Sequence, residues 1–215
     1  MNRRNLITWT AVALSAAAFA PSPEVKDGKS GKQLFELRRY LLDSPKKQQA
    51  LEAFFRDVEI PALNRIGIGP VGVFKEMEGD SLSLYVLVPY KRFEDFISLS
   101  DRLAADSKYM EDGDPVLNTT KNNPPYLRIE SSLMEAFDRL PSLVVPERKE
   151  GRVYELRQYE SACFSAAQNK VEMFNGGGEI DIFLKTGLDP VFFGDPPALR
   201  RGGPTGSAGV PGDHQ

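Results

Sequence analysis

"LFELRRYL", residues 34–41, decides how this chain is read, because "VYELRQYE" at residues 153–160 nearly repeats it. With Glu36 set on Glu155, Leu37 meets Leu156, Arg38 meets Arg157, Tyr40 meets Tyr159 and Phe55 meets Phe174. One insertion at the glycine run Gly176–Gly178 carries the match onward. Glu59–Ile60 then meets Glu179–Ile180, Gly67 meets Gly187, and Pro70–Val71 meets Pro190–Val191. An ordered match with one insertion is the mark of an internal duplication.

The first copy reads as a series of elements. The alternation in "KQLFELRRYL" (32–41) predicts a strand. Ser44 and Pro45 are a cap and a first-turn residue, and Ala50, Leu51, Phe54, Phe55 and Val58 follow at helical spacing. Pro61 must kink or restart that helix, and Gly67 ends it. "PVGVFKEM" (70–77) and "SLSLYVLVPY" (81–90) read as a hairpin turning at 78–80. A helix from about Phe93 to Ala105 is expected next, with another through Tyr109, and "PPYLRIESSLMEAF" (124–137) closes as a strand. The order is β-α-β-β-α-β, the ferredoxin-like module of the α+β class.

These residues carry a resemblance. "FELRRY", "EIPALNRIG", "GPVGVF" and "YVLVPY", with the later "YELRQY", "VEMFN" and "EIDIF…TGLDPVFFG", resemble the NIPSNAP family over about residues 33–194. The resemblance implies two ferredoxin-like modules whose sheets face each other, as in dimeric α+β barrels. Other proteins with that barrel include cofactor-free monooxygenases, haem-binding dismutases and lactone isomerases. A haem held by an axial His is not expected here, because the one His, His214, lies in the tail.

The second copy is incomplete. It begins near Arg152 and keeps its pattern to Gly194, where a Gly- and Pro-rich stretch (195–215) without periodicity begins. It has a first strand, a first helix and a stub of a second strand. In a ferredoxin-like sheet those two strands are not neighbours, so both are expected to lack ladder partners. Three readings account for this: a frameshifted tail, a shortened chain completed by a partner chain or a second copy, or strand 153–159 joining the first sheet's edge. The composition of 195–215 favours the first. The expected organisation is then 1–20 export signal, 21–32 linker, 33–137 first module, 138–151 linker, 152–194 partial second module and 195–215 tail.

The export signal rests on a basic start, an apolar run of small residues and an Ala18–Phe19–Ala20 end. Arg3–Arg4 before Asn5–Leu6–Ile7 fits the twin-arginine route as well as a plain Sec signal. Together they predict a periplasmic or extracellular protein, with no transmembrane segment in the mature chain. A net charge of −3 gives no basic field for nucleic acid, and one cysteine, Cys163, rules out an internal disulfide.

Strand alternation sets Glu36, Arg38 and Tyr40 on one face and Phe35, Leu37 and Arg39 on the other. If the helices cover the apolar face, the Glu–Arg–Tyr row faces the space between the sheets. Glu155, Arg157 and Tyr159 repeat the row, and Tyr85 and Arg128 are candidates to join it. Such a row suits a small polar or aromatic ligand: Arg for an anion, Tyr for stacking, Glu for a donor. It also suits a plain ladder that fixes packing, and this is the preferred reading. No residues have metal-ligand spacing, "EDGD" (111–114) reads as a solvated turn, and "NGGG" (175–178) as a helix break. No cofactor is expected. The sequence favours a non-enzymatic ligand-binding or protein-interaction module; the alternative is a cofactor-independent monooxygenase or isomerase with a pocket between two sheets.

Overall fold

A computed structural model describes residues 6–11, 31–77, 81–147 and 151–196. Among the described residues, seven strands form one antiparallel sheet: β1 (Leu6–Ala11), β2 (Leu34–Leu41), β3 (Gly72–Glu76), β4 (Leu84–Tyr90), β5 (Arg128–Ala136), β6 (Val153–Arg157) and β7 (Gly194–Asp195). Their order across the sheet is β6-β1-β3-β4-β2-β5-β7. The central four, β3-β4-β2-β5, have the ferredoxin-like arrangement, and β2 pairs with both β4 and β5 along its length.

The helix layer follows local signals. Ser44 Oγ accepts from the Lys47 N–H at 3.4 Å and Pro45 opens α1 (Pro45–Phe54). Pro61 has no N–H and its ring crowds the carbonyl one turn back, so the helix widens before it. Phe55–Glu59 is a π turn, closed by the Ile60 N–H on the Phe55 carbonyl, and α2 (Ile60–Arg65) resumes beyond. Gly67, at φ 76°, takes the left-handed turn out of it. The second helical stretch breaks into α3 (Phe93–Ile97), α4 (Leu99–Ala104) and α5 (Ser107–Leu117). Residues 111–114 are helical within α5, so the turn expected for "EDGD" is corrected. Gly113 is buried there, and a side chain in its place would meet Leu117 and Phe54. Asp106 caps α5 through the Tyr109 N–H (3.0 Å) and receives Arg65 (2.8 Å), which ties α2 to α5.

The main core lies between these helices and the sheet. Leu51, Phe55 and Leu63 from the helices meet Leu84, Val86 and Val88 of β4, all buried. Each such side chain contributes roughly 1.5–3 kcal/mol when taken out of water. Strand β4 is buried along its whole length because the other face of the sheet is covered too. There Phe35, Leu87 and Ala136 pack with Leu143 and Phe192, the last seated edge-on against Phe35 at 5.4 Å.

The partial second copy does not build a second, facing sheet. Its two strands extend the one sheet at opposite ends: β6 pairs with β1, and β7 pairs with Glu135–Ala136 of β5. The strands expected to lack partners therefore have them. The partner of β6 is the segment Leu6–Ala11, which also pairs with β3 and falls inside the expected export signal. Between these strands, α6 (Phe164–Asn175) and α7 (Glu179–Lys185) meet at Gly178, φ 80°, as the "NGGG" break requires. They pack Phe174 and Ile180 against Phe137. Gly187, aligned with Gly67, has φ 79°. Residues 197–215, with the tail and frameshift readings, lie outside the described residues, as do the turn at 78–80 and most of the leader and linker. No helix among the described residues is long and apolar enough to cross a membrane.

Candidate functional site

The face expected for the Glu–Arg–Tyr row is inverted. Glu36, Arg38 and Tyr40 point under the helices, and Phe35 and Leu37 point away from them. The physical reason is the crossover from β2 through α1 to β3, which runs parallel to β2 on the far side of β4. Such crossovers are right-handed almost without exception, and their hand, not the apolar count of one strand, sets the face the helix covers. The polar row is then buried and must be satisfied within the module.

It is satisfied by a network that reaches three strands and one helix turn. Arg38 Nη2 donates to Glu36 Oε2 at 2.8 Å, and its Nη1 to Glu59 Oε1 at 3.1 Å. Tyr90 donates its hydroxyl to Glu36 Oε2 at 2.7 Å, and Ser131 donates to Glu36 Oε1 at 2.7 Å. Both carboxyl residues are only 5% exposed. Burial works against the Glu36 charge, but the bonds from Arg38, Tyr90 and Ser131 outweigh it and hold its pKa below the usual value. Glu59 goes the other way. Burial raises its pKa; Arg38 opposes the rise, and Glu36 adds to it. Burial likewise opposes the charge on Arg38, yet its bond to Glu36 and the surrounding acidic groups keep it firmly protonated.

Above this network lies a cavity of about 550 Å³. Glu36, Arg38 and Glu59 line one side of it, and Leu51, Leu103 and Leu117 line the apolar part. Five lining aromatics touch in sequence: Tyr126–Tyr40 (5.5 Å), Tyr40–Phe55 (5.3 Å), Phe55–Phe54 (5.8 Å) and Phe54–Tyr109 (6.2 Å). Burial raises the pKa of both Tyr40 and Tyr109, and the Glu59 charge raises them further, so both hydroxyls stay protonated. Ser100, Ala104, Met110, Asn118 and Ile129 are the exposed lining residues and mark the opening.

The other sequence-predicted residues lie elsewhere. Tyr85 is on the opposite face, donating to Glu76 at 3.1 Å beneath the Arg39 guanidinium. Arg128 is exposed at the start of β5, paired with Glu130 at 3.5 Å. Arg157 Nη2 repeats the bond to Glu155 at 2.8 Å, but both side chains are exposed, and Arg157 lies over the Phe183 ring. Tyr159 follows β6 and packs on Phe174 at 5.5 Å. So the structure brings Glu36, Arg38 and Tyr40 together and leaves Tyr85, Arg128, Glu155, Arg157 and Tyr159 outside. It adds Glu59, Tyr109 and Tyr126. The repeat alignment marked Glu59, since Glu179 answers it; nothing in the sequence marked the two tyrosines as its neighbours.

Cys163 caps α6 as an exposed thiol, 3.3 Å from Ser165 Oγ. That contact and the backbone N–H groups of the helix start lower its pKa.

Comparison with known proteins bears on the same module. No curated protein matches the chain. A crystal structure of an uncharacterized NIPSNAP domain protein from Burkholderia xenovorans is similar at 20% identity, covering 53% of this chain and 94% of that one, with a TM-score of 0.37. The NIPSNAP family model matches residues 35–122, which hold Glu36, Arg38, Tyr40, Glu59 and Tyr109. Residues 35–122 are a NIPSNAP domain.

Proposed function

We propose that this chain is a non-enzymatic binding module that takes a small ligand between its sheet and its helix layer. The observation that carries the reading is the cavity of about 550 Å³, apolar along the leucines and polar where Arg38 and Glu59 meet. Ligand sites in proteins have this make-up: a mostly apolar concavity with a few placed polar groups. The cavity belongs to one module, so it does not depend on the strands that the second copy lacks. The leader composition supports an exported setting for the protein.

The test is a fragment screen by ligand-observed NMR on the full chain and on Ala104→Trp, which places an indole in the opening. Binders are expected for the wild type and should be lost in the variant. Binders indifferent to the substitution, or none at all, would remove the reading.

A second reading concerns partners. Val153, Tyr159, Met173, Ile182, Leu184 and Leu188 of the partial copy are large apolar side chains left exposed. Exposed large apolar side chains are a feature of association surfaces, and these support a second copy of the chain covering this half. Sedimentation velocity is expected to show a dimer that Ile182→Glu with Leu184→Glu dissociates; a monomer at all concentrations would refute it.

A further inference from the structure

We infer that the ligand of this cavity carries a positively charged, ammonium-type head, seated between Glu59 and the chain of aromatic rings, with an apolar body along the leucines. The inference rests on the cavity reading above and names the chemistry the cavity selects.

The first argument is the count of charges on the wall. The lining holds two carboxyl side chains, Glu36 and Glu59, and a single guanidinium, Arg38. The Arg38 charge is already answered: one terminal nitrogen donates to Glu59, and the other donates to Glu36 at 2.8 Å and lies 3.3 Å from the Tyr90 hydroxyl. An anionic ligand would meet two carboxyl groups beside a guanidinium that they already compensate.

The second argument is the asymmetry of the two carboxyls. Both Glu36 oxygens accept hydrogen bonds, from Arg38, Tyr90 and Ser131. Glu59 accepts only at Oε1, and no donor among the described residues reaches its Oε2. Glu59 is 5% exposed and lines the cavity. Glu59 Oε2 is thus open to the cavity, where a ligand that donates can take the place of water. The π turn before Pro61 sets the backbone position of Glu59, and the Arg38 bond holds its side chain.

The third argument is the wall around it. Tyr126, Tyr40, Phe55, Phe54 and Tyr109 form a continuous aromatic lining beside a carboxyl group. Ring faces attract cations through their quadrupoles, most strongly where water is excluded. Carboxylate and rings together favour an organic cation over a neutral or anionic molecule of the same shape.

Three matched probes decide the matter: hexylammonium, 1-hexanol and hexanoate, titrated at pH 7.5 into the isotope-labelled full chain. Amide and methyl shifts at Leu103, Tyr109 and Tyr126 report on the cavity. Hexylammonium is expected to bind there about tenfold more tightly than 1-hexanol, and hexanoate more weakly than either. Glu59→Gln, which keeps the shape and removes the charge, is expected to abolish the preference for hexylammonium over 1-hexanol. If 1-hexanol binds as well as hexylammonium, or hexanoate binds better, the cationic head is refuted and the cavity stands. If none of the three shifts these resonances, the cavity reading itself fails. The wild-type series is decisive even if the variant does not fold.

Discussion

At the scale of residues, Glu36 and Glu59 share one arginine but do different work. Glu36 is tied on both oxygens and by three donors, so it holds strands β2, β4 and β5 together. Replacing Glu36 by Gln should leave Arg38 without its closest buried counter-charge and cost about 3 kcal/mol or more in chemical denaturation. Glu59→Gln keeps a shape-matched acceptor for Arg38, so its expected cost is about 1 kcal/mol or less. Equal costs would show that both carboxyls are structural. The two also respond to pH with opposite sign. The Glu36 pKa is lowered in the folded chain, so its contribution is present above 4.5 and is lost as pH falls through the folded value. The Glu59 pKa is raised above 4.5, so its contribution is present below 4.5 and is lost as pH rises through the folded value. Arg38, Tyr40 and Tyr109 face it and stay protonated throughout that window. Melting temperatures across pH 4–8 should therefore show Glu59→Gln gaining on the wild type as pH rises. A difference that does not vary with pH would mean that Glu59 titrates normally.

At the scale of elements, the strand Leu6–Ala11 has the most consequence. It is the only described neighbour of β6, and it also covers the edge of β3. The sequence reading places the same residues in an export leader. If the leader is removed, β3 and β6 both become sheet edges. Amide exchange should then accelerate at 72–76 and 153–157 in a chain starting at residue 21, with 34–41 and 84–90 still protected by β4, β2 and β5. Unchanged exchange at 153–157 would mean that β6 finds another partner. The helix elements were legible in advance where a local rule governs them. Ser44 with Pro45, Pro61, Gly67 and Gly176–Gly178 all mark turns or ends that the structure has. "EDGD" misled because its acidic and glycine residues suit a turn locally. Burial of Tyr109 and Gly113 against the first helix overrides that preference.

At the scale of the whole molecule, residues 31–147 contain the β3-β4-β2-β5 sheet, its helices and the cavity. The partial copy contributes Phe192, which packs on Phe35, and the short β7. A fragment of residues 31–147 is expected to unfold cooperatively and keep the cavity. It should be less stable than the full chain and prone to associate through the uncovered Phe35–Leu87–Ala136 face. A fragment without cooperative unfolding would show that the second half is integral to the core. The sequence by itself determined the module. Strand and helix periodicity, caps and turn residues are local, and β-α-β-β-α-β order leaves few ways to pair four strands. It also picked out Glu36, Arg38 and Tyr40 as a set, because residues two apart on a strand must share a face. Only the tertiary structure decided which face that was, and so turned an expected gap between sheets into a cavity beneath helices. It alone brought Glu59, Tyr109 and Tyr126 to that row, and sent the two strands of the second copy to opposite ends of one sheet. Crossover hand and contacts between residues far apart in the chain set these features. Periodicity within a single element carries no record of either.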